Sequence, residues 1–133
     1  MITFLCNKLA RDKTKERLQA QDVSISYKMV SGNDLRLALK NKLVEECAEV
    51  VDAKDRQELI AELADVLEVV DGLCKAYGIA IAEVEQVKVQ KYNQRGGFEQ
   101  GLFIDTIMMQ EDNPNASHFR LTPDRYPEIE AAK

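Results

Sequence analysis

Apolar residues recur at helical spacing through two consecutive stretches of the chain. Leu39, Leu43, Cys47 and Val50 form one stripe, and Leu59, Leu63, Val66, Leu67 and Val70 form another. The pattern predicts two amphipathic helices joined by a turn near Ala53 to Asp55. Asp55 followed by Glu58 is a D-x-x-E helix start, in which one acid accepts from orphan amides and a second answers it three residues on. So short a connection makes the helices antiparallel neighbours.

The remaining pattern is read the same way. A short helix is expected from Asp12, its candidate N-cap, to about Gln21. Val23, Ile25, Tyr27 and Met29 alternate with Ser24, Ser26 and Lys28, which predicts a half-buried strand. Asn33 or Asp34 is expected to cap the long helix that runs to about Ala53, and the next is expected over Arg56 to Tyr77, stopped by Gly78. A further helix is expected from about Ala80 to Arg95, ended by Gly96 and Gly97. Leu102 to Met109 is apolar enough for a second strand that would pair with Val23 to Val30. Residues 110–133 hold all three prolines among polar residues and are expected to form an irregular tail. The fold class expected is mainly α: an antiparallel helical bundle with a short two-stranded β element, in a single domain over 1–133 whose core is about 7–98.

Charge changes this picture at one place. The two long helices carry the clusters Glu45, Glu46, Glu49 and Glu62, Asp65. Residues three or four apart share a helix face, so two acidic groups can face each other across the hairpin. At about 100° per residue, Glu46 falls inside the apolar stripe of Leu39, Leu43 and Val50. An E-E-x-x-E run alone is most often a solvated face, since Glu is a good helix former. The second acidic pair and the position of Glu46 argue for a site. Carboxylates converging without a base nearby raise their own pKa values or recruit a cation. All-oxygen ligation suits Mg²⁺, with Mn²⁺ as substitute, and Mg²⁺ commonly shares substrate phosphates. The expected substrate is a polyphosphate ester.

Composition excludes several alternatives. The chain of 133 residues is 45% hydrophobic with a net charge of -5, which argues against stable nucleic-acid binding by a basic surface. No apolar run approaches the ~18 residues of a membrane span, and Met1 to Leu9 is no signal segment, so a cytoplasmic location is expected. Cys6, Cys47 and Cys74 show neither disulfide nor zinc spacing. The single His118 is expected to be a loop residue. Lys88, Lys91 and Arg95 share one face of the helix after the acidic hairpin, either as an exposed basic stripe or as ligands for phosphate. Apolar positions beyond the buried stripe, such as Val44, Val51, Ile60 and Val69, predict a homo-oligomer, a dimer or tetramer.

The ordered set Glu45-Glu46-x-x-Glu49, twelve residues, Glu62-x-x-Asp65 resembles the signature of the all-α nucleoside triphosphate pyrophosphohydrolases of the MazG-like superfamily. Asn7-Lys8-Leu9-Ala10-Arg11-Asp12-Lys13 and Lys91-Tyr92-Asn93-Gln94-Arg95-Gly96-Gly97-Phe98 resemble segments of its small phosphoribosyl-ATP pyrophosphohydrolase-like members. Thr14-Lys15 departs from the Ile-Pro that often follows the first segment. The resemblance implies Mg²⁺-dependent hydrolysis of a (deoxy)nucleoside triphosphate to monophosphate and pyrophosphate, a reaction of nucleotide-pool house-cleaning. It implies Glu46, Glu49, Glu62 and Asp65 as metal ligands. Glu45 becomes a ligand to a further ion or the group that orients or deprotonates water, and Lys91 and Arg95 bind phosphate. Two other readings stay open: phosphoribosyl-ATP pyrophosphohydrolase of histidine biosynthesis, and a non-catalytic helical interaction module.

Overall fold

A computed structural model describes residues 1–129, and they form helices α1 (Thr14–Gln19), α2 (Gly32–Asp52), α3 (Arg56–Tyr77), α4 (Ile81–Arg95) and α5 (Ala116–Arg120). The chain divides into two compact units, Met1–Arg95 and the part from Gly96 onward.

In the first unit the hairpin of α2 and α3 is the packed element. Its turn is built by local chemistry. Asp55 lies in extended backbone and its side chain accepts from the Gln57 and Glu58 amides at 2.8 and 2.9 Å. Glu58 reaches back to the Lys54 amide at 2.9 Å, one residue before the cap itself, so the expected reciprocal cap forms with a displaced partner. At the other end Gly78 adopts the left-handed conformation (φ 67°). The amides of Gly78 and Ile79 then return to the carbonyls of Lys75 and Cys74, satisfying two of the orphan acceptors. Arg36 donates to the Ala76 carbonyl at 2.9 Å and stacks over Tyr77, fixing the start of α2 against the end of α3.

The seam between the helices has a definite register. Leu39 lies against Gly72, where an added Cβ would stand 3.0 Å from the Leu39 Cδ2. Leu39, Val69 and Cys74 are the buried apolar side chains among the described residues. The inward-turned face of α3 runs through Glu62, Val66, Val69 and Leu73, with half-buried Asp65, Val70 and Gly72 and buried Cys74 beside them. This corrects the expected stripe in part. Leu59, Leu63, Leu67 and Cys47 are exposed, whereas Val69 is buried. Leu59, Leu63 and Leu67 do line one face, four residues apart, but it is the flank beside the seam.

Several expectations are overturned. Among the described residues there is no strand: Val23 to Val30 and Leu102 to Met109 are both without one. Alternation says which side of a strand would be buried, and not that a partner exists to complete the ladder. The first helix is shorter than expected, Thr14–Gln19 after Lys13, with no side-chain cap from Asp12. Helix α2 starts at Gly32 after an extended Ser31, so its N-cap lies two residues before Asn33 and three before Asp34. In the second unit the expected tail holds α5, with His118 on it rather than in a loop. Its ring lies 5.3 Å from Phe119 and 6.3 Å from Tyr126. Arg120 makes a two-pronged contact with Glu128, both at 3.2 Å. Residues 130–133 of that tail lie outside the described residues. Among the described residues no helix is long and apolar enough to cross a membrane.

Candidate metal centre

The acids occupy the seam between the apolar layer and the turn. Glu46 is 5% exposed, the one buried charged residue among those described. Its place inside the stripe, read from the helical wheel, is what the structure shows. One carboxylate oxygen each from Glu46, Glu49 and Glu62 lies within 4.8 Å of the others. Glu46 is buried, Glu62 half-buried and Glu49 exposed, so the cluster is open on one side.

Like charges this close are unfavourable unless something neutralises them. The Glu62 carboxyl is held above its ordinary value, by burial first and then by the charges of Glu49, Asp65 and Glu46. Its Oε2 is buried and has no hydrogen-bond partner. An orphaned carboxylate oxygen facing two further carboxylates is an all-oxygen donor set of the kind Mg²⁺ and Mn²⁺ take.

Three cations, none of which was expected here, meet the edges of the cluster. Lys42 bridges Glu46 at 2.6 Å and Glu45 at 2.9 Å. Burial pulls the Lys42 ammonium down, but its contacts to Glu46 and Glu45 outweigh this and leave it raised. Lys8, from the segment before α1, meets Glu45 at 3.0 Å, and Arg11 of the same segment pairs with Asp65. The Glu45 carboxyl is held low, by the hydrogen bond from Lys42 first and by Lys8 next.

The structure thus divides the five expected acids. Glu46, Glu49 and Glu62 converge, while Glu45 and Asp65 stand beside them in ion pairs. Lys91 and Arg95 sit on α4 and are exposed. Among the described residues neither is in an ion pair, whereas Lys88 of the same face pairs with Glu85 at 3.3 Å. Lys42 was legible in principle, since it lies three and four residues before Glu45 and Glu46, the spacing of helical ion pairs. Contacts of Lys8 and Arg11 span 37 and 54 residues, and no local spacing reveals them.

The family model of the MazG nucleotide pyrophosphohydrolase domain matches residues 36–97. This interval holds the hairpin from Arg36 onward with all five acids, and α4 with Lys88, Lys91 and Arg95. No curated protein and no solved structure gave a significant match to the chain.

Proposed function

We propose that the chain, whose residues 36–97 match the family model of the MazG nucleotide pyrophosphohydrolase domain, hydrolyses (deoxy)nucleoside triphosphates to the monophosphate and pyrophosphate in the presence of Mg²⁺. The observation that carries this reading is the convergence of Glu46, Glu49 and Glu62 around the unpartnered Glu62 Oε2.

In this reading Glu46, Glu49 and Glu62 hold the metal, and Asp65 completes the set after releasing Arg11. The metal supplies charge neutralisation at the phosphates and a more acidic bound water. Phosphoanhydride cleavage needs little covalent help, so positioning and electrostatics supply most of the acceleration. The buried Glu46 is locked by Lys42 and gives the site its rigid side. Exposed Glu49 marks the side from which substrate enters. Glu45, held ionised by two lysines, orients the attacking water. Lys91 and Arg95 bind phosphate oxygens when α4 closes on the site. A role in cleaning the nucleotide pool follows if the preferred substrates are damaged or unwanted nucleotides.

The same reading includes a homo-oligomer. Leu67 is 67% exposed and Val51 83%, and with Leu59, Ile60, Leu63 and Val44 they leave apolar surface on both helices of the hairpin. A second copy covering those flanks would turn the hairpin into half of a four-helix bundle.

The test is pyrophosphate release from a panel of canonical and damaged nucleotides, with phosphoribosyl-ATP included, with and without Mg²⁺. Metal-dependent release that Glu49→Gln abolishes in a folded protein is the expected result. Preference for phosphoribosyl-ATP would move the substrate class, and no release from any compound would return the chain to an interaction module.

A further inference from the structure

We infer that the N-terminal arm before α1 contributes Lys8 and Arg11 to the substrate site, where they bind the phosphate chain of the nucleotide. This rests on the triphosphate reading above and extends it to a segment outside the matched domain.

The arm is largely exposed and without regular structure before α1, yet two of its cations reach the two different helices of the acidic hairpin. Lys8 meets Glu45 on α2, next to Glu46; Arg11 meets Asp65 on α3, one turn beyond Glu62. The pairs therefore bracket the cluster from both sides. Asn7 turns the chain just before Lys8 with a left-handed backbone (φ 46°), a conformation that Asn tolerates better than most residues. After Arg11 the chain closes a turn, Thr14 donating to the Arg11 carbonyl at 3.0 Å. Both cations are thus presented on one short, bent segment.

Stability does not account for this placement. Lys8 and Arg11 side chains are 50% and 59% exposed, and ion pairs so exposed add little. Glu45 already has Lys42 at 2.9 Å, so Lys8 is a redundant partner for it. What the two residues do supply is unused donor capacity. The Lys8 ammonium has three donors and the Arg11 guanidinium five, and each meets a single carboxylate oxygen. A site with five carboxylates that accepts a polyanion needs cations directed at the phosphates. Lys8 and Arg11 are the exposed cations that already stand at its rim. A guanidinium fork suits two phosphate oxygens at once, and an ammonium a single one.

The test uses the full chain and inorganic triphosphate, the moiety every candidate substrate shares, so base preference cannot obscure it. Titration with Mn²⁺ alone, followed by the signal of free Mn²⁺, reports the carboxylates. Calorimetry with inorganic triphosphate at saturating Mn²⁺ reports the arm. Lys8→Met and Arg11→Met should each weaken triphosphate about tenfold or more, as loss of a charge-assisted hydrogen bond does. Mn²⁺ affinity should stay equal or tighten, because Glu45 and Asp65 lose a competing cation. Lys8→Arg should restore most of the binding, and Lys13→Met, which removes a charge of the same arm outside the ion pairs, should leave it unchanged. Triphosphate binding that survives both Met variants overturns the assignment, as does a parallel loss of Mn²⁺ binding, which would make the arm a structural clamp. Wild-type chain that binds no Mn²⁺ would overturn the metal reading and this one with it.

Discussion

Replacing Lys42 by Met isolates the energetics of the acidic seam. Lys42 and Glu46 are 2.6 Å apart with side chains 18% and 7% exposed. At an effective dielectric near 20 two unit charges at that separation attract by about 6 kcal/mol, before the desolvation of both is subtracted. Breaking such a pair from one side costs ~3–5 kcal/mol, since the surviving charge stays buried. Glu45 keeps Lys8 in the variant, so the loss falls on Glu46, and the residual exposure of Lys42 lets some water reach the site. The expected cost is therefore near the lower end, about 3 kcal/mol.

The assay is urea unfolding in EDTA at fixed protein concentration, with the slope unchanged so that the midpoint alone reports stability. Two controls make the number interpretable. Lys42→Met with Glu46→Gln buries no charge and should recover most of the loss, giving a large coupling energy in the cycle. Mn²⁺ should stabilise Lys42→Met more than the wild type, because the freed Glu46 oxygen offers a stronger ligand; at a hundredfold excess over Kd the gain is about 2.7 kcal/mol. A loss below ~1 kcal/mol, or a double variant no better than the single, would falsify the claim that Lys42 holds a buried charge in place.

Other outcomes follow from the same geometry. Glu62→Gln should abolish metal-dependent turnover yet stabilise the chain in EDTA at neutral pH. The Glu62 carboxyl is raised by burial and by its acidic neighbours, so its ionisation disfavours the folded state. That penalty is absent below the ordinary carboxylate range, grows as pH rises through the raised value, and is full above it. The stability difference between the Glu62→Gln variant and wild type, measured across pH, should open in that direction. Asp55→Ala removes the acceptor for two amides and should cost about 1 kcal/mol in a thermal or urea melt. Gly72→Val should cost clearly more than Gly72→Ala, because the Leu39 Cδ2 already stands 3.0 Å from the Cβ position and a branched side chain cannot share that space.

Sequence reading reached the hairpin because its signals are local. Asp55 and Glu58 mark the start of α3, Gly78 marks its end, and the three- and four-residue steps within Glu45, Glu46, Glu49 and within Glu62, Asp65 are faces of single helices. The burial of Glu46 was legible for the same reason. Where the reading failed, the missing information was tertiary. Periodicity identified Leu59, Leu63 and Leu67 as a face of α3 but not which of two adjacent faces meets α2. That choice is set by Gly72, whose missing side chain lets Leu39 approach. The alternation of Val23 to Met29 is intact but has no ladder among the described residues. Nothing in the spacing of Lys8 or Arg11 announces a partner on a distant helix.

The register explains why stability and chemistry compete in this hairpin. Arg36 with Ala76, then Leu39 with Gly72, form the end of the seam away from the turn, where apolar contact holds the helices together. Toward the turn the same seam positions are taken by Glu46 and Glu62, where Leu and Val would have packed. Each such replacement removes apolar burial and adds repulsion, leaving Leu39, Val69 and Cys74 as the buried apolar residues among those described. A hairpin so depleted cannot be held by its own seam alone, because burying apolar surface is the dominant favourable contribution to folding. Lys42 on the buried Glu46, the reciprocal cap at the turn and the apolar flank of Leu59, Leu63 and Leu67 are the places where compensation enters. Metal binding and self-association should accordingly raise stability together, and a charge placed at Leu63 should weaken both.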